Sequence, residues 1–104
     1  IFIAYVGTAG SANIGDEYAM FEAIHGSAPR MIEEGIGDYA NPSSIFVACE
    51  MMLRHIGMQK AAEKLQKAMS ICTEKEKKVV VTGNRDGATC KEFASYVIET
   101  INKL

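Results

Sequence analysis

Three stretches of the chain space their apolar residues as one face of a helix would. Ile45, Ala48, Cys49, Met52, Leu53 and Ile56 form the first, with Asn41-Pro42 ahead of it as a start signal. The Asn41 side chain can cap free amides, and Pro42 suits the first helical position because its missing N–H would have no partner there. Gly57 closes this helix. Ala61, Leu65, Ala68, Met69 and Cys72 form the second stripe, and Phe93, Val97, Ile101 and Leu104 the third. The Met51-Met52-Leu53 run reads as core, since methionine at helical spacing fills gaps. His55 falls near the end of its helix, where the helix dipole favours an imidazolium.

Shorter apolar runs predict strands. Ala19 to Ile24, closed by His25-Gly26, reads as a buried strand, and the β-branched Val79-Val80-Val81-Thr82 reads as another. Residues 1–6 suit either a strand or the end of a helix. Residues 7–15 are small and polar and read as a loop. Residues 25–41 hold a proline and several glycines and read as one long connection; loops beyond about 12–15 residues are often functional. Glu74 to Lys78 reads as a solvated turn and Gly83 to Gly87 as a turn-rich loop. There is no internal repeat and no low-complexity tract. The order strand, loop, helix, helix, strand, helix predicts an α/β layer architecture.

Composition narrows the function classes. The chain has 104 residues, 48% hydrophobic and 23% charged, with a formal net charge of −2. That excludes a disordered chain. No apolar run approaches the ~18 residues of a membrane span, so no membrane partner is expected. The charge balance argues against nucleic acid. Cys49, Cys72 and Cys90 are widely spaced, with no Cys-x-x-Cys pair, so a zinc site is not expected and the thiols suit a reducing compartment. The opening Ile-Phe-Ile-Ala-Tyr-Val lacks the basic start of a signal peptide. A first residue other than Met fits either processing or a piece of a longer polypeptide.

The segment from Glu22 to Asn41 holds the densest candidate chemistry. It leaves a predicted strand and enters a predicted helix, and ligands of open α/β sheets bind at strand carboxyl ends. Gly26, Ser27 and Ala28 are small enough for a ligand to approach the backbone. His25 offers a stacking ring and a hydrogen-bonding nitrogen, and Arg30 is a permanent cation suited to phosphate. The plainer alternative is a surface loop with one packed histidine. Asp16, Glu17 and Glu22 could form an acid or metal cluster, but they are too local for a full Mg²⁺ site, and acids facing water explain them as well. Residues 7–15 match neither G-x-G-x-x-G nor the phosphate loop with Lys-Ser/Thr.

Two strings carry a resemblance. Residues 12–29, ANIGDEYAMFEAIHGSAP, and residues 40–57, ANPSSIFVACEMMLRHIG, resemble the isocitrate and isopropylmalate dehydrogenase family, and DGATCKEFASYVIETI (residues 86–101) resembles that family's C-terminal helix region. The resemblance runs through nearly the whole chain and favours the isocitrate branch. It implies a single partial domain over residues 1–104: the C-terminal portion of the large α/β, nucleotide-binding domain of a longer protein. The implied reaction is metal-dependent oxidative decarboxylation of a 2-hydroxyacid, isocitrate plus NAD(P)⁺ giving 2-oxoglutarate, CO₂ and NAD(P)H. Isopropylmalate, homoisocitrate or tartrate are the alternative substrates, and a non-catalytic binding module on the same scaffold is the alternative outside enzymes.

The resemblance also assigns residues. Ser11, Ala12 and Asn13 with Gly15 and Asp16 correspond to the loop lining the nicotinamide side, and Glu22 to a strand acid near the nicotinamide. His25, Gly26, Ser27, Ala28 and Pro29 correspond to the turn that wraps the adenosine. Asn41 corresponds to the asparagine that hydrogen-bonds the adenine edge, and Asp86 to an acid approaching the adenine pocket. After the loop proline, an acid would suit NAD and a cation NADP. Arg30 there leans to NADP, although Met31 follows it where NADP-using members often carry tyrosine. The family's metal-binding aspartates, proton-transfer tyrosine and lysine, and substrate-clamping arginines have no counterpart here. Mg²⁺ or Mn²⁺ is therefore implied only for a full-length protein, and the 104 residues alone are expected to be inactive. The family further implies a homodimer in the cytoplasm, or in the mitochondrial matrix of a eukaryote.

Overall fold

The computed structural model describes residues 2–5, 8–24 and 29–104. Strands and helices are mixed in it, an α/β fold. The chain divides into two compact units: residues 1–25 with 43–66, and residues 26–42 with 67–104.

The first unit is a three-stranded antiparallel meander, β1 (Phe2–Tyr5), β2 (Thr8–Ile14) and β3 (Ala19–Ala23), in that order, with helix α2 (Ser43–His55) packed on β2 and β3. The loop expected over residues 7–15 is thus corrected: most of it is the central strand. Ala, Gly, Ser and Asn are poor strand formers, but here their small size is what counts. A Cβ on Gly10 would stand 2.9 Å from the backbone nitrogen of Ala48, so the missing side chain is what lets α2 lie this close to β2. Asp16 and Glu17 form the tip of the β2–β3 connection, closed by the Gly15 amide donating to the Tyr18 carbonyl at 2.8 Å.

β3 is present where predicted, but it is not buried. Met20 and Ile24 are exposed, because α2 covers only one face of the sheet. The apolar stripe assigned to α2 is also corrected. The residues that pack inward are Val47, Ala48 and Met51, whereas Ile45, Met52 and Ile56 are exposed, so Met52 is not core. The helix starts at Ser43, which leaves Asn41 two residues before it rather than at the cap. Its end is as read. Gly57 has φ +87°, its amide donates to the Arg54 carbonyl and the Met58 amide donates to that of Leu53, a paired closure that needs a left-handed residue. Arg54 joins α2 to the next helix, α3 (Gln59–Ser70). Its Nε donates to Glu50 at 3.3 Å and its Nη2 to Gln66 Oε1 at 2.7 Å.

The second unit contains α1 (Pro29–Glu33), a 3₁₀ turn (Gly37–Tyr39), a π turn (Ile71–Lys75) that continues α3, and α4 (Cys90–Lys103). The connection over 25–41 therefore carries helical turns. Val79 to Thr82 is not a strand: the Val80 carbonyl accepts from the Ala88 amide at 2.8 Å, so this backbone closes on its own loop. α4 buries Phe93, Tyr96, Val97 and Thr100, while Leu104 is exposed and Ile101 half-buried, a stripe rotated from the predicted one toward two hydroxyl residues. Among the described residues no helix is long and apolar enough to cross a membrane.

Candidate functional site

Strand alternation sorts the first unit's candidate residues. Ala12 and Phe21 are cross-strand partners, Ala12 is buried, and the Phe21 ring lies 5.5 Å from that of His55 at the end of α2. Side chains one residue away on each strand occupy the opposite face. That face carries Ser11 and Glu22, which are direct partners, and Asn13, which is partnered by Met20. Paired side chains on one face stand about 5 Å apart at their Cβ atoms. A hydroxyl, an amide and a carboxylate thus share a surface that α2 does not cover, and Glu22 and Asn13 are exposed on it. This is an open surface with hydrogen-bonding groups. Asp16 and Glu17 sit apart from it at the hairpin tip. Among the described residues no three His, Cys, Asp or Glu side chains gather as a metal site.

His25, Gly26, Ser27 and Ala28 lie outside the described residues. Pro29 opens α1 in the second unit, and Arg30 follows it on the same turn. The Arg30 side chain is 88% exposed and stands 3.6 Å from Glu34, a loose i,i+4 pair that holds little in water. Asn41 is exposed. Asp86 accepts a hydrogen bond from the Thr82 hydroxyl at 2.6 Å, which pins the 82–87 turn. Sequence reasoning did not single out Arg85. Its Nη2 donates to the Gly35 carbonyl at 3.3 Å, tying the turn that bears Asp86 to the connection that bears Arg30 and Asn41. A cation beside Asp86 was the available signal.

A second polar network lies deeper in this unit. The Tyr96 hydroxyl donates to Glu76 at 2.7 Å, and the Lys78 amide approaches that hydroxyl at 3.5 Å. Burial, then the bond to Glu76, pushes the Tyr96 phenol up to about 12. Cys72 Sγ contacts the Thr100 hydroxyl at 3.3 Å, and burial raises its thiol above the usual range. Both groups are held neutral, which marks them as structural rather than reactive. The Glu74–Lys78 turn, read as solvated, is exposed, yet its Glu76 anchors α4.

The sequence model of the isocitrate/isopropylmalate dehydrogenase family matches residues 1–97. An isocitrate dehydrogenase [NADP] of Rickettsia bellii is 42% identical over 102 residues, covering 94% of this chain and 20% of its own length. One from Helicobacter pylori is 45% identical over 101 residues, covering 92% of this chain and 23% of its own. An isocitrate/homoisocitrate dehydrogenase of Thermus thermophilus is 36% identical over 99 residues, 95% of this chain and 28% of its own. The chain thus spans between a fifth and just over a quarter of the length of these relatives.

Proposed function

The chain belongs to the isocitrate/isopropylmalate dehydrogenase family, and from that premise we propose that it is the C-terminal, nucleotide-holding part of the large domain of a decarboxylating isocitrate dehydrogenase that uses NADP. The observation that carries the reading is the match over residues 1–97 together with 42–45% identity to relatives named for isocitrate and NADP. The overall conversion is isocitrate plus NADP⁺ to 2-oxoglutarate, CO₂ and NADPH.

The donor set suits this nucleotide. Arg30 is an exposed guanidinium without a tight carboxylate partner, which fits a ribose phosphate. Asn41 supplies an amide for the adenine edge. Asp86, held by the Thr82 hydroxyl, is the acid that the family resemblance assigns to the adenine side, and His25 to Pro29 are the residues that it assigns to the adenosine. Asn13 and Glu22 orient the nicotinamide end on the open face of β2–β3. Bound NADP supplies the hydride acceptor, and a Mg²⁺ or Mn²⁺ held by residues outside this chain supplies the Lewis acid for decarboxylation. These residues therefore bind and orient, and by themselves they turn over little or no substrate. The same reading makes the full-length protein a homodimer of the cytoplasm or mitochondrial matrix. Homoisocitrate is the second substrate, because one relative is named for both acids.

The test is a steady-state assay of the full-length protein with a panel of 2-hydroxyacids, both nucleotides and Mg²⁺ or Mn²⁺. Isocitrate with NADP should be the best pair, and failure to oxidise any member of the panel overturns the proposal. Arg30→Asp should lower the NADP-to-NAD preference by about tenfold or more, the value of a charge-assisted hydrogen bond. An unchanged ratio would show that Arg30 does not meet the phosphate.

A further inference from the structure

α1 carries Arg30, yet packing does not place it. The helix has five residues, Pro29–Glu33, and none of them is buried. Isolated helices shorter than about 12–15 residues are marginal in water, so propensity does not hold it either. Its closure does. The Gly35 amide donates to the Ile32 carbonyl at 3.1 Å and the Ile36 amide to the Met31 carbonyl at 2.8 Å, with Gly35 at φ +73°. This is the paired ending of a helix on a left-handed residue. Ile36, just beyond it, is buried. The Gly35 carbonyl takes no part in the closure, and it is the group that accepts from Arg85 Nη2 at 3.3 Å.

The other end of that bond is firmly built. The Ala88 amide donates to the Val80 carbonyl at 2.8 Å, the Gly87 amide to the Asn84 carbonyl at 3.1 Å, and the Thr82 hydroxyl to Asp86 at 2.6 Å. Arg85 and Asp86 are neighbours on this closed loop. A guanidinium on a well-pinned turn thus grips the end of an unpacked helix. Arg85 and Gly35 are both exposed, so the bond adds little to the stability of the whole fold; what it restricts is local opening at the end of α1. We propose that Arg85 is a positioning residue for the nucleotide: by holding the Gly35 carbonyl it sets Arg30 relative to Asp86, so that cation and acid meet one NADP. This rests on the reading of Arg30 and Asp86 as nucleotide ligands. Contacts placed in advance cut the ordering cost of binding and leave the reacting end of the cofactor alone.

The test uses the full-length protein with isocitrate and Mg²⁺ or Mn²⁺. Arg85→Met, Arg30→Met and the double variant, which keep the stems and remove the donors, are assayed with NADP and with NAD. Arg85→Met should raise the KM for NADP about tenfold, the value of a hydrogen bond to a charged group, and leave kcat as in the parent. In the Arg30→Met background it should not move the NADP-to-NAD preference further, because a residue that acts through Arg30 has nothing left to act on. An additive loss of preference would mean that Arg85 meets the phosphate itself, and it overturns the proposal. So does a KM for NADP that rises in Arg30→Met but not in Arg85→Met. Hydrogen exchange of the nucleotide-free protein reads the tie without turnover: the Gly35 and Ile36 amides should exchange about tenfold faster in Arg85→Met, and equal rates overturn the proposal. Faster exchange in Arg85→Met together with an unchanged KM for NADP in Arg30→Met rejects the nucleotide reading, and the positioning role falls with it.

Discussion

The two units are held together in different ways. The first relies on main-chain pairing and on one close helix–sheet contact, with Arg54 linking its helices through side-chain hydrogen bonds to Glu50 and Gln66, and it leaves Tyr18, Met20, Ile24, Ile45 and Ile56 exposed. The second secures its irregular backbone with side-chain hydrogen bonds: Tyr96 to Glu76, Cys72 to Thr100, Thr82 to Asp86, and a reciprocal Thr89–Glu92 pair. It needs them. A π turn and Lys77 at φ +53° follow one another there, and neither is a conformation the backbone favours unaided. Close packing tolerates small residues only. Polar pinning tolerates irregular backbone but titrates with pH. The units should therefore fail under different insults.

The largest effect is expected from crowding the first unit. Gly10→Val puts a branched side chain where the Ala48 backbone nitrogen would be 2.9 Å from its Cβ. Main chain cannot swing aside as a side chain can, so α2 must lift from β2. The expected loss is about 3 kcal/mol, at the upper end for overpacking, read by urea unfolding of the native protein. A variant as stable as the parent would show that α2 shifts freely and that the contact is not what holds the first unit.

This contact also marks where sequence reading stops. The helices at 43–55, 59–70 and 90–103 were legible because their apolar periods are strong. β2 was not, because nothing in Thr-Ala-Gly-Ser-Ala-Asn-Ile states that a helix will need room above it. Val79 to Thr82 failed the other way: β-branched residues favour a strand only where a neighbouring strand can pair, and here the Val80 carbonyl goes to Ala88. The α2 stripe is legible in the sequence but reads as core, because periodicity records that a face is apolar and not whether anything covers it. At the candidate site, Asn13 and Glu22 fall on one face only because residues 8–14 form a strand, in which Ser11 pairs with Glu22 and Asn13 with Met20. Arg30 and Asp86 were visible as charges, whereas the Arg85–Gly35 link spans fifty residues and has no local signature.

A middle-sized effect should separate the units by pH. Tyr96 has a phenol raised to about 12, against about 10 when unfolded. The folded state thus holds this proton more tightly, so its stabilisation is complete below pH ~10 and is lost as pH rises through about 12. Tyr96→Phe removes the hydroxyl and the titration together. It should cost about 1 kcal/mol near neutrality and make the alkaline loss of stability shallower than in the parent. Thermal unfolding from pH 7 to 12 measures both. Parallel curves would mean that the Glu76 bond does not govern the second unit's alkaline limit.

The smallest effect concerns the start of α4. The Glu92 amide donates to the Thr89 hydroxyl at 3.2 Å, and the Thr89 amide donates to the Glu92 carboxylate at 3.0 Å, so two amides that the helix itself cannot satisfy are paired. The bond from the Thr89 amide, followed by its side chain, lowers the Glu92 pKa from the usual 4.5. The sign is opposite to that of Tyr96: the contribution is present above the unfolded value and is lost as pH falls through the lower, folded one. Thr89→Ala should cost about 1 kcal/mol at neutral pH, because an unpaired amide remains at the first turn. Glu92→Gln keeps an acceptor for the Thr89 amide but has no proton to gain. It should cost less than Thr89→Ala near neutrality and should flatten the acid limb of the stability profile. α2 offers the contrast, since the first turn of that helix carries no acid. If the acid limb keeps its slope in Glu92→Gln, the pinning of the second unit does not extend to this cap, and the difference between the units narrows to Tyr96 and Cys72.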